Sequence, residues 1–473
     1  MQSLNVVWFR NDLRCYDNAC LSSAVEFANR TGNAVIGIFI ATPDTWQLHD
    51  MAPIKQDLVR RRVKQLQTEL QQINIPLLAI EGSTYDAVPE VFRQLAKQFK
   101  LHVFLQNEYE LREIKRDQAV EQVVQSHGGQ IQYFDTQCIM PPGSVSTQQG
   151  DVYKVFTPFK RNWLKRLLES GVQCHAKPKQ LNVPSLPLPE LVPMHSGDDS
   201  SGQWSVVEVA VLEQMRDFCR DKVHAYQSQR DYPAIDGTSR ISAYLAIGVL
   251  SAAQCVARLQ IEAAEQLNGD GSGAAVWLSE LIWREFYKHI LVAYPNLIKH
   301  QPFQMDTVGI AWDNNQQQFE AWCNGCTGFP IVDAAMRQLN QTGWMHNRLR
   351  MIAASFLVKD LHIDWRWGER YFMSRLIDGD FAANNGGWQW AASTGTDAVP
   401  YFRIFNPQTQ SEKFDPTGDF IRSYVPELQH LKGKAIHWPH SLGRVKGYPS
   451  PIVDHAKARK ITLALFEQVK KKS

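Results

Sequence analysis

This sequence contains no run of about 18 apolar residues, the length a helix needs to cross a bilayer, so no membrane span is expected. Its start, Met1-Gln-Ser-Leu-Asn-Val-Val-Trp-Phe-Arg10, is not a secretion signal and reads as a strand already inside the fold. No GxGxxG follows that first apolar run, so a dinucleotide loop of that kind is not signalled. No internal repeat of fixed period appears. Neither sign of charge dominates: 50 Lys+Arg against 48 Asp+Glu leave a net +2. That total neither demands nor excludes nucleic acid, because a basic face can hide inside it. Cysteine is sparse, eight in 473 residues at 15, 20, 138, 174, 219, 255, 323 and 326. Scattered so widely, they read as reduced thiols rather than a disulfide scaffold. Cys323-Asn-Gly-Cys326 is a CxxC without a second CxxC or nearby histidines, so no metal site is expected.

With 44% hydrophobic and 21% charged residues, the chain reads as soluble, globular and cytoplasmic, long enough for two or three domains. Tryptophan is the abundant oddity: there are 14, and ten lie after residue 270. Over 1–135, short apolar runs alternate with helical stretches. Val6–Phe9, 34–40, 76–80, 102–105 and 130–134 predict five strands, with a helix over 53–72 between the second and third. Alternation of this kind predicts a doubly wound parallel sheet, the α/β class. Residues 136–205 are punctuated by Pro141, Pro142, Pro178, Pro184, Pro187, Pro189 and Pro193 and by Asp198-Asp-Ser-Ser-Gly202. They predict a long linker with one helix near 157–169. Beyond it the period is near 3.6, so 206–473 is expected to be a second, all-α domain.

Three stretches carry chemistry. Asp378-Gly-Asp380-Phe-Ala-Ala-Asn384-Asn-Gly-Gly-Trp388-Gln-Trp390 packs two carboxylates, three amides and two tryptophans into 13 residues. Buried Asp and Asn need partners, and glycine lets backbone approach a ligand, so a flat, polar, redox-active ligand fits better than a buried turn. In Trp277-Leu-Ser-Glu280-Leu-Ile-Trp283-Arg284-Glu-Phe-Tyr287, the residues Glu280, Trp283, Arg284 and Tyr287 share one helix face. That face is either solvated and salt-bridged or a site that stacks one flat group and hydrogen-bonds another. Thr342-Gly-Trp344-Met-His346-Asn347-Arg348-Leu-Arg350-Met351 predicts a helix to about 360, with Trp344, Asn347 and Met351 on one face. There a buried Asn347 would need a partner, and Arg350 would pair with a carboxylate such as Asp378. His346 reads as structural. Gly237-Thr-Ser-Arg240-Ile-Ser242 opens another helix, either as a plain N-cap or as a phosphate site.

Together with Trp8-Phe-Arg-Asn-Asp-Leu-Arg14, these stretches resemble the photolyase/cryptochrome family, in order and over nearly the whole chain. Within it they look most like bacterial class I DNA photolyases that act on cyclobutane pyrimidine dimers. The resemblance implies an N-terminal α/β antenna domain and a C-terminal helical FAD-binding domain, with FAD reduced in the active form. It implies FAD contacts from Tyr226, Thr238, Ser239, Arg240, Ile241, Ser242, Trp277, Glu280, Asn347, Arg350, Asp378, Gly379, Asp380 and Asn384, the last facing flavin N5. Glu280, Asn347, Met351 and Asn384 would be catalytic. The dimer, flipped out of UV-damaged DNA, would stack on Trp283 and Trp390 and touch Asn347, Met351 and Glu280, with Arg284 and Tyr287 on the same substrate face. Base flipping by photolyases is a known general example. Arg230, Arg348 and Arg403 would meet phosphates. Trp388, Trp365 and Trp312 match the family's electron-transfer chain. The (6-4) photolyases place His where Asn347 and Met351 stand, so Asn and Met favour cyclobutane dimers. Folate-binding relatives carry Asn-Glu at Arg112-Glu113 and a Cys at Ile298. With Glu113 and Lys299 retained, 5,10-methenyltetrahydrofolate is the antenna implied, with another chromophore or none as alternatives. A monomer with no obligate protein partner and no membrane partner is expected. The main rival is a cryptochrome-like photoreceptor, against which Asn384 and the dimer-facing set argue. A plain flavin oxidoreductase is the more distant one.

Overall fold

The computed structural model describes residues 1–182, 189, 191–267 and 271–470. The linker residues Pro184 and Pro187 and the tail from 471 therefore lie outside the described residues. All five expected strands form: β1 (Gln2–Phe9), β2 (Ala34–Ala41), β3 (Leu77–Glu81), β4 (Phe99–Gln106) and β5 (Gln130–Phe134). They make one parallel sheet in the order β3-β2-β1-β4-β5, with Val6 beside both Ile36 and Val103. The central strands are buried on both faces, which is why they read as unbroken apolar runs, whereas the edge strand β5 is largely open. Helices Ala19–Thr31, Pro53–Gln71, Val88–Ala96 and Leu111–Ser126 make the crossovers. On one face Leu4, Val6, Trp8, Ile36, Ile38, Phe92, Val103, Leu105 and Val120 form the core.

The strand order reverses between β1 and β4, where doubly wound folds commonly admit ligands. Here that place is filled. Arg10 binds Asp117 at 3.0 and 3.1 Å, Arg116 binds Glu108 at 2.6 Å and Asp117 at 2.7 and 2.9 Å, and all four are buried. Burial alone would raise the Glu108 pKa, but Arg116 and Arg10 outweigh it and hold it below the usual value. Both guanidinium groups also lie over Trp8, at 4.4 and 4.9 Å from its ring.

The chain forms two compact units, and their limits do not follow the sequence division at 135 and 205. The first comprises Met1–Tyr153, Thr157–His224 and Ser239–Pro295; the second comprises Lys154–Phe156, Ala225–Thr238 and Asn296–Ser473. Two buried acids tie later segments to the sheet unit. Glu208 accepts from the backbone N–H groups of Cys15 and Tyr16, each at 2.8 Å. Glu285, in helix Gly273–Ala293, accepts from Ile139 N at 2.5 Å, Met140 N at 3.1 Å and Trp163 Nε1 at 2.6 Å. Burial pushes the Glu285 pKa up despite these three donors. Glu285→Leu strands all three and is expected to cost about 3 kcal/mol or more in urea unfolding. Cys15, Glu69 and Glu208 cluster closely enough for a metal ion, but the fully buried Arg62 already supplies the cation, at 2.6 Å from Glu69 and 3.3 Å from Glu208.

In the second unit, helices Pro330–Thr342, Asn347–Lys359, Trp365–Met373 and Phe381–Ala392 pack around Trp322, Phe329, Leu349, Phe356, Phe372 and Trp388. The helix expected to begin near 342 begins at Asn347 instead. Gly343, at φ +67°, ends the helix before it, and His346 caps the new one, its Nδ1 accepting from Arg348 N at 3.2 Å. Trp344 therefore lies between helices rather than on the expected face. The linker helix is present as Phe156–Ser170. No described helix is long and apolar enough to cross a membrane.

Candidate functional site

The candidate residues fall on both units. On the first, helix Gly273–Ala293 starts from Ser272, whose hydroxyl accepts from Ala275 N at 3.1 Å. Leu281, Ile282, Glu285, Phe286, Lys288 and His289 are buried, while Glu280, Trp283, Arg284 and Tyr287 stay half-buried. The stripe read from spacing is thus a face the core leaves open. The Trp283 and Tyr287 rings lie 5.6 Å apart at 31°, and Arg284 donates to Gln137 O at 3.0 Å. Trp277 is buried against Phe218 and donates to Ser239 Oγ at 3.3 Å.

The short helix Ser242–Ile247 corrects one expectation. Its N-cap is Ile241, with no side-chain capping bond, so neither Thr238 nor Ser242 acts as the cap. Instead Arg240 takes a left-handed φ of +51°, uncommon for a bulky residue, and its side chain is exposed. Ser239 accepts from Gln214 through its carbonyl at 3.0 Å. Tyr226 and Thr238 belong to the second unit, Tyr226 buried and Thr238 half-buried.

In the second unit Arg350 donates to both oxygens of Asp378, at 2.8 and 3.1 Å, and to Met345 O at 2.8 Å. The Asp378 side chain is 3% exposed and that of Arg350 25%. Gly379 is buried, and Asp380 caps helix Phe381–Ala392 by accepting from Ala383 N at 3.0 Å. Asn384 donates to the backbone carbonyl of Glu369 at 2.9 Å. Asn347 is exposed rather than buried, a second correction: as the first residue of its helix it sits where backbone has turned away from the core. Met351 is half-buried one turn further on.

Behind Asn384 runs a polar network absent from the sequence reading. The buried carboxylate of Glu369 accepts from Asn385 at 2.7 Å and binds His300 Nδ1 at 2.9 Å. Asn385 in turn accepts from Gln389 at 2.9 Å, and Gln389 accepts from Phe303 N at 2.8 Å. The available signal was the Asn384-Asn385…Gln389 spacing, which puts two amides one helical turn apart. The hydrogen bond that His300 donates to the Glu369 carboxylate raises the His300 pKa above 6.5, outweighing the burial that would lower it. Because the folded pKa is raised, the pair stabilises fully below about pH 6.5 and fades as pH rises through the raised value. A His300→Gln variant is therefore expected to melt below its parent at pH 6, with the gap narrowing as pH rises through the raised His300 pKa.

Trp388 and Trp365 are buried in one core cluster, and half-buried Trp312 packs against its edge. The Trp388 indole lies so close to Gly368 that a Cβ there would stand 2.1 Å from the ring. Trp388 also meets Phe372 at 4.9 Å and Trp322 at 6.0 Å, two neighbours missed from sequence. Trp390 is half-buried, and Arg403 is exposed. Arg348 pairs with Asp231 at 2.7 Å, and Arg230 lies 5.7 Å over Tyr226. Of the antenna candidates, Lys299 is exposed and Glu113 is buried. Glu113 accepts from Tyr85 Oη at 2.9 Å and lies 3.5 Å from His49. Burial, then Glu110 and Glu108, push its pKa up to about 7.

The parallel sheet of the first unit and the acid–amide–tryptophan cluster of the second belong together in the class of FAD-binding photolyases. Family models place the chain within it: one described as the FAD binding domain of DNA photolyase matches residues 277–468, and one described as DNA photolyase matches 5–183. The chain belongs to the DNA photolyase family. It is 52% identical to a deoxyribodipyrimidine photo-lyase of Vibrio cholerae, across 99% of this chain and 100% of that one. Its identity to the Escherichia coli protein of the same name is 49%, across 99% of each. A solved class III photolyase from Agrobacterium tumefaciens superposes with a TM-score of 0.84 at 34% identity, covering 100% of this chain and 98% of that one.

Proposed function

We propose that this protein repairs UV-damaged DNA by light-driven splitting of cyclobutane pyrimidine dimers. The observation that carries the reading is the stripe Glu280, Trp283, Arg284 and Tyr287, half-buried on a helix whose neighbouring Leu281, Ile282, Glu285 and Phe286 are buried. An acid among aromatics suits a flipped pyrimidine dimer: Trp283 offers a stacking face, Glu280 meets the pyrimidine edge, and Trp390 is proposed as a second stacking residue. Asn347 and Met351 contact the lesion without offering an acid or base, which suits a reaction that needs no proton relay. Reduced FAD, when bound, would supply the light-driven electron chemistry for this splitting.

The donor set fits that cofactor. The Arg350–Asp378 pair supplies fixed charge, and Ser239 and Arg240 supply donors for phosphate. Asn384, with one N–H committed to Glu369 O, keeps its carbonyl oxygen to accept a hydrogen bond without adding a competing charge. Ile241, Ser242 and Trp277 on the first unit, and Tyr226, Thr238, Gly379 and Asp380 on the second, are proposed as further flavin contacts. Trp388, Trp365 and Trp312 feed it electrons from the surface. Arg230, Arg348 and Arg403 take phosphates. The protein acts as a cytoplasmic monomer. An antenna folate, 5,10-methenyltetrahydrofolate, is proposed, with Glu113 and Lys299 as the family-matched contact residues, and a purified protein with a flavin-only absorption spectrum would remove it.

Purified, FAD-loaded, reduced protein should convert a dimer-containing oligonucleotide to intact pyrimidines under blue or near-UV light. Reduced protein that leaves the dimer unchanged in the light would falsify the reading.

A further inference from the structure

Three cations of the second unit converge on one carboxylate and one ring. Arg348 Nη2 lies 2.7 Å from Asp231 Oδ1, and Arg230 Nε lies 3.9 Å from the same oxygen. The Arg348 guanidinium lies 4.3 Å over Phe414, and Lys413 Nζ lies 5.1 Å from that ring. Tyr232 meets Phe414 edge-on at 6.4 Å. The side chains are 16% exposed for Arg348, 29% for Arg230 and 35% for Asp231, so the group is reachable from solvent but not loose. Arg348 Nε is buried with no hydrogen-bond partner among the described residues. Its guanidinium is therefore fixed by Asp231 on one side and by a ring face on the other.

We propose that Asp231 is a specificity-determining residue for damaged DNA, an inference that rests on the repair reading above. Undamaged duplex binds through backbone charge alone, and its affinity follows the number of cations free to meet phosphates. To reach a regular backbone, Arg230 and Arg348 must leave Asp231, and the carboxylate then stands unpaired beside a polyanion. A strand displaced by a flipped dinucleotide is anchored by the lesion itself and meets the two guanidinium groups where they are already held. The carboxylate thus penalises the wrong partner more than the right one. It also spares the right one the ordering of two long side chains. Asp231 touches neither base nor flavin in this scheme; it acts through the arginines.

The test uses the full-length, flavin-loaded protein and one duplex with or without a single cyclobutane dimer, bound in the dark across a salt series. Asp231→Asn should tighten binding to intact duplex by about threefold or more and steepen its log–log salt slope by about one. Affinity for the lesion duplex should change less, so the damaged-to-intact ratio falls. Asp231→Glu, which keeps the charge, should keep the ratio. A ratio in Asp231→Asn that stays within about twofold of the parent overturns the proposal. So does an Asp231→Glu variant that loses discrimination as the Asn variant does. If Asp231→Asn fails to retain flavin, Asp231→Ser carries the same expectation. A parent protein that binds both duplexes equally removes the repair reading itself. A discriminating parent with an equally discriminating Asn variant removes only the role of Asp231.

Discussion

Arg350→Ala should empty the flavin site. Asp378 is almost fully buried and takes both of its ion-pair hydrogen bonds from Arg350. Removing the guanidinium leaves a carboxylate at low dielectric with its charge uncompensated, a change that costs about 3–5 kcal/mol when the partner is buried. The same substitution frees Met345 O, at the turn that leads into helix Asn347–Lys359. The expected readouts are a lower midpoint in urea and loss of visible flavin absorbance from the purified protein. Arg350→Lys should fall between parent and Ala, since an ammonium keeps the charge but not the two-pronged geometry. Full flavin occupancy in Arg350→Ala would show that the pair serves packing only.

The second large effect concerns electron supply. Trp388→Phe should leave flavin bound and repair by chemically reduced protein intact, yet stop light from reducing resting flavin. Trp388 lies in the same packed cluster as Trp365, with half-buried Trp312 packed against it, so on the proposed relay the loss of the inner indole would remove the step nearest the flavin. A tenfold loss of rate corresponds to about 1.4 kcal/mol of barrier, and replacing an easily oxidised indole with a benzene ring asks for more. Phe is the proper replacement because the ring must still fill the space beside Gly368 and Phe372. Equal photoreduction in variant and parent would refute the relay.

Much of this architecture is legible in the sequence where the physics is local. The strands announce themselves because a parallel strand covered on both faces is a short unbroken apolar run, as in Ala34–Ala41. The stripe Glu280, Trp283, Arg284 and Tyr287 is legible because helical spacing puts these residues on one face, and the structure leaves that face open. What was hidden depends on partners far along the chain. Glu285 binds residues 145 and 146 positions away, and Arg348 meets Asp231 from 117 positions away. No period or spacing encodes such pairs, and for the same reason the limits of the compact units escaped the linker-based division. The Asn347 exposure was misread for a smaller reason. Gly343 ends one helix and His346 opens the next, which moves Asn347 from the middle of an expected face to its first, outward position.

The packed charges at the reversal point of the sheet bear on attempts to re-equip this protein. Many doubly wound domains keep that edge as a vestibule; here Arg10, Glu108, Arg116 and Asp117 close it like a keystone. A second pigment could be introduced there only by replacing all four groups at once. Any single replacement would leave a neighbour charged and dry, so stepwise substitution would pass through less stable proteins. Grafting a new light-harvesting group onto the sheet is thus a concerted redesign.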